Sequence, residues 1–349
     1  MSFMDEYNAL RKKRKNMTIK DLAAKTGYAV GTVSRALNNH PNVSEKARAK
    51  ILKAAGECGF QLNVNAKQLK QQHSTTILVV VKGIGNELFG ELVETIQNLI
   101  APTRYQLVVD YMDEDNNEVS RAISLIREKK PLGILFLGGN TLHFLRDFDK
   151  IEVPCVLVTN DAAGLPFSNL SSVTTDDRQA GYAAMERLIS QGHRHIAIIG
   201  GVKDSDISCL RFEGCLQAMK RQGLDFDPEL DYEAVRFSYR DGYDATLRLL
   251  SRNRGYTAIF ALADVMAIGS VRALWEQGKR VPQDVSVIGV DGLNLGSYLT
   301  PRLSTVRQDA PEIARRSVEI LLSALETGAS PVHEQISFEL LPGESVRKV

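Results

Sequence analysis

From about residue 75 onward, short apolar runs alternate with longer amphipathic stretches, and this alternation narrows the possible folds more than any other feature. Short apolar runs are typical of buried strands, and the stretches between them, such as 91–100 and 118–128, have helical periodicity. The two series of runs predict two doubly wound, mostly parallel sheets, with a ligand site where their strand ends face each other. The predicted strands are Ile77–Val81, Gln106–Asp110, Gly133–Leu137, Cys155–Thr159, His195–Gly200, Asp231–Val235, Thr257–Leu262 and Val285–Val290.

The segment 18–39, TIKDLAAKTGYAVGTVSRALNN, contains two short helical patterns separated by Gly27. Thr18 and Asp21 fit a capping box at the start of the first helix, and a third helix is predicted to begin after Ser44. Helices this short are marginal in isolation, so they are expected to pack together through their apolar stripes. The stripes are Ile19, Leu22 and Ala23, then Val30, Val33 and Leu37, then Ala47, Ile51, Leu52 and Ala55.

The outward face of the second helix carries Gly31, Thr32, Ser34 and Arg35. Small and polar side chains permit close approach to a DNA major groove, and an arginine can read guanine edges there. The pattern is typical of a helix-turn-helix whose second helix enters the groove. A plain three-helix bundle is the alternative interpretation.

The charge of the chain is divided unevenly along its length. Residues 1–73 contain 14 Lys or Arg and 5 Asp or Glu, whereas the remaining residues contain 29 and 37. A basic module joined to an acidic body points to a polyanionic partner at one end, although a solvated basic face would look the same. Residues 61–74 are mostly polar or basic with weak helical character, and Leu69 could either pack or enter a base step from the minor groove.

Other features of the sequence exclude several classes of protein. There is no apolar run long enough to span a membrane, and the N-terminus lacks the apolar segment of a signal peptide. The four cysteines have no metal-site spacing, so we expect a cytoplasmic protein with reduced thiols and no metal or cofactor. Leu88 interrupts the one candidate dinucleotide motif, GIGNELFG, and no P-loop or nucleophile elbow is present. We therefore expect a protein that is not an enzyme.

Together these segments resemble the lactose repressor and galactose repressor family of bacterial regulators, from about Met17 to Val346 and most specifically at Thr32-Val33-Ser34-Arg35. The resemblance implies a ligand-responsive repressor, a homodimer that binds an inverted-repeat operator and is switched by a sugar or sugar derivative. The fold it implies is a small all-α helix-turn-helix domain (17–60), a hinge helix (61–74) and an α/β two-lobed periplasmic-binding-protein-like core (75–349), preceded by a basic extension (1–16).

The resemblance also implies which residues contact DNA. Val30, Gly31 and Arg35 would face bases, and Leu69 would intercalate. The full set expected at the DNA is Thr18, Val30, Gly31, Thr32, Ser34, Arg35, Asn38, Asn63, Ala66, Lys67 and Leu69. Ala29 stands where the family usually has a capping Ser, and Leu62 stands where a hinge Pro is common. The cation run 11–15 could be a DNA-contacting arm or a disordered tail.

In the core, the family fold implies three chain crossings between lobes. We expect them near 160–175, 291–305 and 328–338, which would give one lobe of about 75–165 plus 303–330 and another of about 166–302 plus 331–349. The effector residues come from strand ends and from family positions: Lys82, Phe89, Thr159, Asn160, Arg211, Phe237, Asp264, Asp291 and Gln308.

Two features bear on the class of effector. The Asp291 carboxylate can accept hydrogen bonds from paired sugar hydroxyls. If Lys82 and Lys203 line the cleft with Arg211, three cations converge and favour a phosphorylated or acidic sugar. The alternative is that both lysines are solvated loop residues. Ala263, which replaces an Asn of the family, removes a common hydroxyl contact.

Overall fold

The computed structural model describes residues 18–37, 42–58, 75–202 and 205–349. The chain divides into two compact units, Met1–His73 and Ser74–Val349, which are described separately. Among the residues described, no helix is long and apolar enough to cross a membrane.

The first unit contains three helices, α1 (Ile19–Thr26), α2 (Val30–Leu37) and α3 (Glu45–Glu57). The predicted capping box is present, because Thr18 and Asp21 bond reciprocally, and the predicted turn residue Gly27 has a φ of 78°. The Ser44 side chain caps α3 by accepting from the Ala47 amide. The three helices pack around Leu22, Val33 and Ile51, which are fully buried.

Two residues of the predicted apolar stripes face outward instead. Leu52 is 48% exposed and Val30 is 42% exposed, so the prediction that both pack inward is wrong. Each helical residue is rotated by about 100° from the next, so that Ile51 and Leu52 cannot both face the same core. Ala36, which the stripe omitted, is buried in place of Val30.

The second unit is built on two six-stranded sheets, which confirms the predicted doubly wound core. The first sheet has the order β11-β5-β4-β3-β1-β2 and the second has the order β12-β10-β9-β8-β6-β7. All neighbouring strands are parallel except β10 and β12. The strands are β1 (Thr76–Lys82), β2 (Gln106–Met112), β3 (Gly133–Leu137), β4 (Cys155–Val158), β5 (Leu170–Thr175), β6 (Ile196–Gly200), β7 (Tyr232–Ala234), β8 (Ala258–Ala261), β9 (Ser286–Asp291), β10 (Ser304–Gln308), β11 (His333–Ile336) and β12 (Phe338–Leu341).

Helices connect these strands and cover both faces of each sheet. The longer ones are α4 (Glu87–Ile100), α5 (Glu118–Lys129), α6 (Thr141–Asp147), α7 (Asp177–Ser190), α8 (Asp206–Arg221), α10 (Tyr239–Ser251), α11 (Asp264–Glu276) and α13 (Ala310–Thr327). Two single-turn helices, α9 (Pro228–Asp231) and α12 (Asn294–Ser297), lie in loops.

The chain crosses between the lobes at single residues. Asp176 joins β5 to α7, Asp309 joins β10 to α13, and Ser337 joins β11 to β12. Both aspartates cap the helix that follows, accepting from the amides of Gln179 and Glu312.

These crossings correct the expected lobe boundaries. Lobe 1 consists of 75–175 and 310–336, and lobe 2 consists of 177–308 and 338–349. The third crossing falls within its expected range, whereas the first two lie just beyond theirs. The reason is that β5 (LSSVTT) and β10 (STVRQ) are polar in sequence but buried in the sheets, so hydrophobicity did not identify them as strands.

Candidate functional site

A cavity of about 280 Å³ lies between the two lobes, where the carboxyl ends of the strands face each other. Eight of the nine residues predicted to bind the effector lie in its wall. These are Lys82, Phe89, Thr159, Asn160, Arg211, Phe237, Asp291 and Gln308. Lys82, Asp291 and Gln308 end strands β1, β9 and β10, which explains why strand ends alone located much of the site.

Asp291 and Arg211 form the polar centre of the lobe 2 wall. Arg211 donates from Nε to Asp177 Oδ1 at 2.7 Å and lies 3.4 Å from Asp291 Oδ1. Gln308 Nε2 donates to the same Asp291 oxygen at 2.8 Å. The other oxygen, Asp291 Oδ2, is buried and has no hydrogen-bond partner. Asp291 also has a φ of 123°, a backbone conformation that only a well-packed site sustains.

Burial changes the acidity of these groups. Removal from water raises the pKa of Asp177 to about 6 despite the opposing charge of Arg211. Burial likewise raises the pKa of Asp291, again against the effect of Arg211. Burial alone would lower the pKa of Arg211, but the charges of Asp177 and Asp291 outweigh it and raise that pKa. The three groups form a buried ion cluster that is polar but nearly closed to solvent.

The lobe 1 wall carries a second charged cluster. Lys82 Nζ lies 2.5 Å from Glu118 Oε2, and His143 Nδ1 lies 2.9 Å from the same oxygen. Glu118 Oε1 accepts from the Asn140 amide at 2.7 Å. Glu118 is fully buried behind the wall, whereas Lys82 and His143 line the cavity.

Hydrogen bonds between the lobes surround the cavity. Arg236, from the segment after β7, donates to Asp113 Oδ1 at 2.6 Å and to Glu114 Oε1 at 2.8 Å, both in the segment after β2. Asp206 in lobe 2 accepts a hydrogen bond from the Thr141 amide in lobe 1 at 2.8 Å. The Tyr239 hydroxyl in lobe 2 donates a hydrogen bond to Glu87 Oε1 in lobe 1. Burial raises the pKa of Glu114, which also lines the cavity. The cleft is therefore closed in this structure.

Asp264 differs from the prediction, because it lies outside the cavity wall and is fully buried. Its Oδ2 accepts from the amides of Gly292 and Leu293 at 2.8 Å, and its Oδ1 accepts from Thr305 Oγ1 at 2.7 Å. A Cβ at Gly289 would lie 2.0 Å from Asp264, so the strand passes directly against the carboxylate. Asp264 thus holds the chain after β9, and through it positions Asp291.

Sequence reasoning missed several wall residues, most of which lie in loops, whereas His143 and Ile207 lie in the first turns of helices α6 and α8. The wall also contains Asn86, Glu114, Asp115, Asn140, His143, Val202, Ser205, Ile207 and Val235. Asn86 and Asn140 cap helices α4 and α6, so their residue type and position pointed to capping rather than to a site. Lys203, the third cation of the acidic-effector hypothesis, lies outside the described residues.

The first unit presents part of the predicted DNA surface. Thr18, Val30, Gly31 and Arg35 are exposed, and Thr32 and Ser34 are partly exposed. Arg35 Nε donates to the Gly31 carbonyl at 3.3 Å, so its side chain runs back along the outer face of α2. The other predicted contacts, Asn38, Asn63, Ala66, Lys67 and Leu69, lie outside the described residues.

Comparison with known proteins places both parts of the chain. Residues 18–63 match "Bacterial regulatory proteins, lacI family", and residues 185–346 match "Periplasmic binding protein-like domain". The HTH-type transcriptional regulator MalR of Clostridium butyricum is 34% identical over 94% of this chain and 99% of its own length.

Solved structures agree with this placement. A complex of the transcriptional regulator CelR with cellobiose is 26% identical, with a TM-score of 0.69 over 94% of this chain and 99% of that one. The Lac repressor dimer bound to operator and the anti-inducer ONPF is 24% identical, with a TM-score of 0.78 over 95% and 100% of the two chains. The fold of the whole chain is thus shared with these regulators.

Proposed function

The chain belongs to the lacI family of bacterial regulatory proteins and is a helix-turn-helix transcriptional regulator, and from this premise we propose that it is a repressor whose operator affinity is switched by a small carbohydrate bound between the lobes. The proposal assigns operator reading to the outer face of α2 and effector binding to the cavity. Val30, Gly31 and Arg35 would contact base edges, and Thr18, Thr32 and Asn38 would lie closer to the phosphates.

The observation that carries the effector assignment is the unpartnered Asp291 Oδ2. A buried carboxylate oxygen without a hydrogen bond is costly, so its presence in a cavity wall favours a ligand that donates to it. Vicinal hydroxyls of a sugar donate in this way, and the Phe89 and Phe237 side chains offer apolar contacts for a ring face. The cellobiose bound to the CelR neighbour supports a carbohydrate in this role.

The proposed switch uses the single-residue crossings. Because only Asp176, Asp309 and Ser337 join the lobes covalently, the lobes can rotate about them while each sheet stays intact. A ligand that contacts both walls binds the closed cleft more tightly and shifts the population toward it. DNA affinity follows if the two arrangements of the lobes hold the DNA-binding units differently.

We further propose a homodimer that acts in the cytoplasm and has no catalytic activity. Trp275 is 67% exposed and Tyr298 is 77% exposed, and both lie in lobe 2. Large exposed aromatic side chains are enriched at protein interfaces, and the Lac repressor neighbour is a dimer on its operator. Sedimentation of Trp275→Glu with Tyr298→Ser should then show a larger monomer fraction than the parent.

The function is tested on the full chain. Selection from a random duplex library should recover an inverted repeat, and anisotropy titrations with that duplex should respond to cellobiose or to another neutral sugar from a screen. Arg35→Ala should abolish selective DNA binding but preserve sugar binding. Asp291→Asn should weaken sugar binding but preserve selective DNA binding. Selection that recovers no common sequence would contradict the DNA assignment, and Asp291→Asn with unaltered sugar affinity would contradict the effector site.

A further inference from the structure

We propose that Glu118, a buried residue behind the cavity wall, sets the charge of the ligands that the cavity accepts. By neutralising Lys82 it makes the lobe 1 wall suitable for an uncharged polyhydroxylated ligand and unsuitable for a phosphorylated or acidic one. This inference rests on the proposed effector role of the cavity and specifies the class of effector.

The geometry of Glu118 leaves it no capacity for a ligand of its own. Its Oε1 accepts from the Asn140 amide, and its Oε2 is shared by Lys82 Nζ and His143 Nδ1. Its side chain is fully buried, and that of Lys82 is 11% exposed. A carboxylate so enclosed strongly stabilises the partner ammonium, and removing one member of such a pair leaves an uncompensated charge. Glu118 therefore affects a ligand in the cavity only through the charge of Lys82.

The rest of the described wall adds no free positive charge. Arg211, the other cation of the wall, is paired with Asp177 and Asp291. Glu114 and Asp115 contribute further carboxylates to the wall, and Arg236, which binds Glu114, is not part of the wall. A phosphate or carboxylate entering the cavity would meet carboxylates and neutralised cations, which disfavours it at short range.

Lys82 still has a use for a neutral ligand. An ammonium carries three donors, and Glu118 takes one of them. His143 Nδ1 lies 3.4 Å from the same nitrogen, which leaves at least one donor for a hydroxyl oxygen while the net charge of the Lys82–Glu118 pair stays zero. The two walls then meet the ligand in complementary ways, with Lys82 donating on one side and Asp291 Oδ2 accepting on the other.

Glu118→Gln is the decisive variant, because it keeps the shape of the side chain. The amide oxygen can still accept from the Asn140 amide, but the amide nitrogen then faces Lys82 Nζ, donor against donor. Lys82 loses its counter-charge and becomes an unpaired cation in the wall. Glu152→Gln, at an exposed position of lobe 1, removes the same formal charge away from the cavity and serves as the matched control.

Binding is measured on the full chain by calorimetry with four probes: cellobiose, its aldonic acid cellobionate, glucose 6-phosphate and inorganic phosphate. In the parent and in Glu152→Gln, we expect neither anionic sugar to bind more tightly than cellobiose. In Glu118→Gln, we expect the affinity for the anionic probes, inorganic phosphate included, to rise by roughly tenfold or more. Adding Lys82→Met to Glu118→Gln should abolish that gain.

The outcomes separate this inference from the proposed function. If the parent prefers cellobionate or glucose 6-phosphate, the inference is overturned, although a carbohydrate effector stands. If Glu118→Gln melts like the parent without gaining affinity for any anion, the inference is also overturned. If no sugar binds the parent but phosphate binds Glu118→Gln in a Lys82-dependent way, the charge role of Glu118 is supported and the carbohydrate assignment fails.

Discussion

Arg236 donates a hydrogen bond to Asp113 across the cleft at 2.6 Å, and this pair fastens the lobes at the edge farthest from the crossings. Asp113 follows β2 and Arg236 follows β7, which are the edge strands of their sheets. The crossing strands β5, β11, β10 and β12 lie at the opposite edges. The same arginine holds Glu114, which lines the cavity, so closure and the cavity wall share one side chain.

We therefore expect Arg236→Ala to open the cleft more often. The Arg236 side chain is 43% exposed, so water weakens its ion pairs and the loss is about 1 kcal/mol, or roughly a fivefold increase in opening. Hydrogen exchange should accelerate at the amide of Thr141 in lobe 1, which donates to Asp206 in lobe 2 at 2.8 Å. Arg240→Ala is the control, because Arg240 pairs with Asp244 within lobe 2. Equal exchange in both variants would contradict the fastening role.

Asp291→Asn should weaken carbohydrate binding while sparing stability. Replacing the unpartnered carboxylate removes a charged acceptor, which costs about 1.5–3 kcal/mol of binding. The folded protein should not be destabilised, because Asn keeps an oxygen for Gln308, tolerates positive φ and leaves Arg211 paired with Asp177. Calorimetry measures the carbohydrate affinity and thermal unfolding measures the stability. Asp225→Asn, at an exposed position, is the control. A lower melting temperature with unchanged affinity would indicate a purely structural Asp291.

The raised pKa of Asp177 predicts a definite dependence of stability on pH. Between its ordinary pKa of 3.8 and its folded pKa of about 6, the folded state binds more protons than the unfolded state. The contribution of Asp177 to stability therefore falls as pH rises through this window, by at most about 1.4 kcal/mol per pH unit, and is constant above it.

Urea unfolding of the parent and of Asp177→Asn between pH 4.5 and 7.5 measures this contribution. The parent-minus-variant difference in free energy of unfolding should shrink as pH rises toward 6 and then level off. A difference that grows with pH would mean that the pairing with Arg211, rather than burial, sets the pKa of Asp177.

Arg35→Lys should weaken selective DNA binding and leave non-selective binding nearly intact. Lysine keeps the charge that attracts phosphates but lacks the two-pronged geometry that reads guanine. The expected cost on the selected operator is about 1–3 kcal/mol, against a much smaller change on a scrambled duplex. Anisotropy titrations at the same salt concentration compare the affinities for the selected operator and for the scrambled duplex. An equal loss on both duplexes would assign Arg35 to the phosphate backbone.

Ala29→Ser should stabilise the first unit. Ala29 precedes α2, and its carbonyl accepts from the Thr32 and Val33 amides, but its side chain has no acceptor for the free amides of the first turn. A serine there is worth about 0.5–2 kcal/mol. Slower hydrogen exchange over 30–37 in the full chain would show it. The control is Ala24→Ser, at an exposed position inside α1, where serine is expected to be neutral or slightly unfavourable.

The predictable part of this molecule is the part in which apolar character and burial coincide. The eight apolar strands were located within two residues at each end, and six of them, all except the edge strands β2 and β7, are buried on both faces of their sheets. Strands β5 and β10 were not identified, because they bury serines and threonines rather than apolar side chains. Hydrogen bonds such as those of Ser172 and Thr305 make this burial possible. Hydrophobicity carries no signal for such strands.

The candidate site divides in a similar way. Residues at strand ends, such as Asp291 and Lys82, were found because the fold brings strand ends together. Glu118 was not found, because a glutamate in the first turn of a helix is ordinarily a partner of the helix dipole. Only the three-dimensional position of its carboxylate beneath Lys82 distinguishes it. Asp264 shows the converse, because its sequence position marked it as a ligand residue and its contacts support the chain instead.

The last two strands of the chain complete one sheet each. β11 forms the edge of the lobe 1 sheet and β12 forms the edge of the lobe 2 sheet, only one residue apart. On the ribosome, neither lobe can acquire its full set of strands until residues 333–341 have been translated. Any truncation before residue 333 removes an edge strand from both sheets at once. Both lobes of such a chain are therefore incomplete, and cellular quality control would encounter a chain in which neither lobe is fully folded.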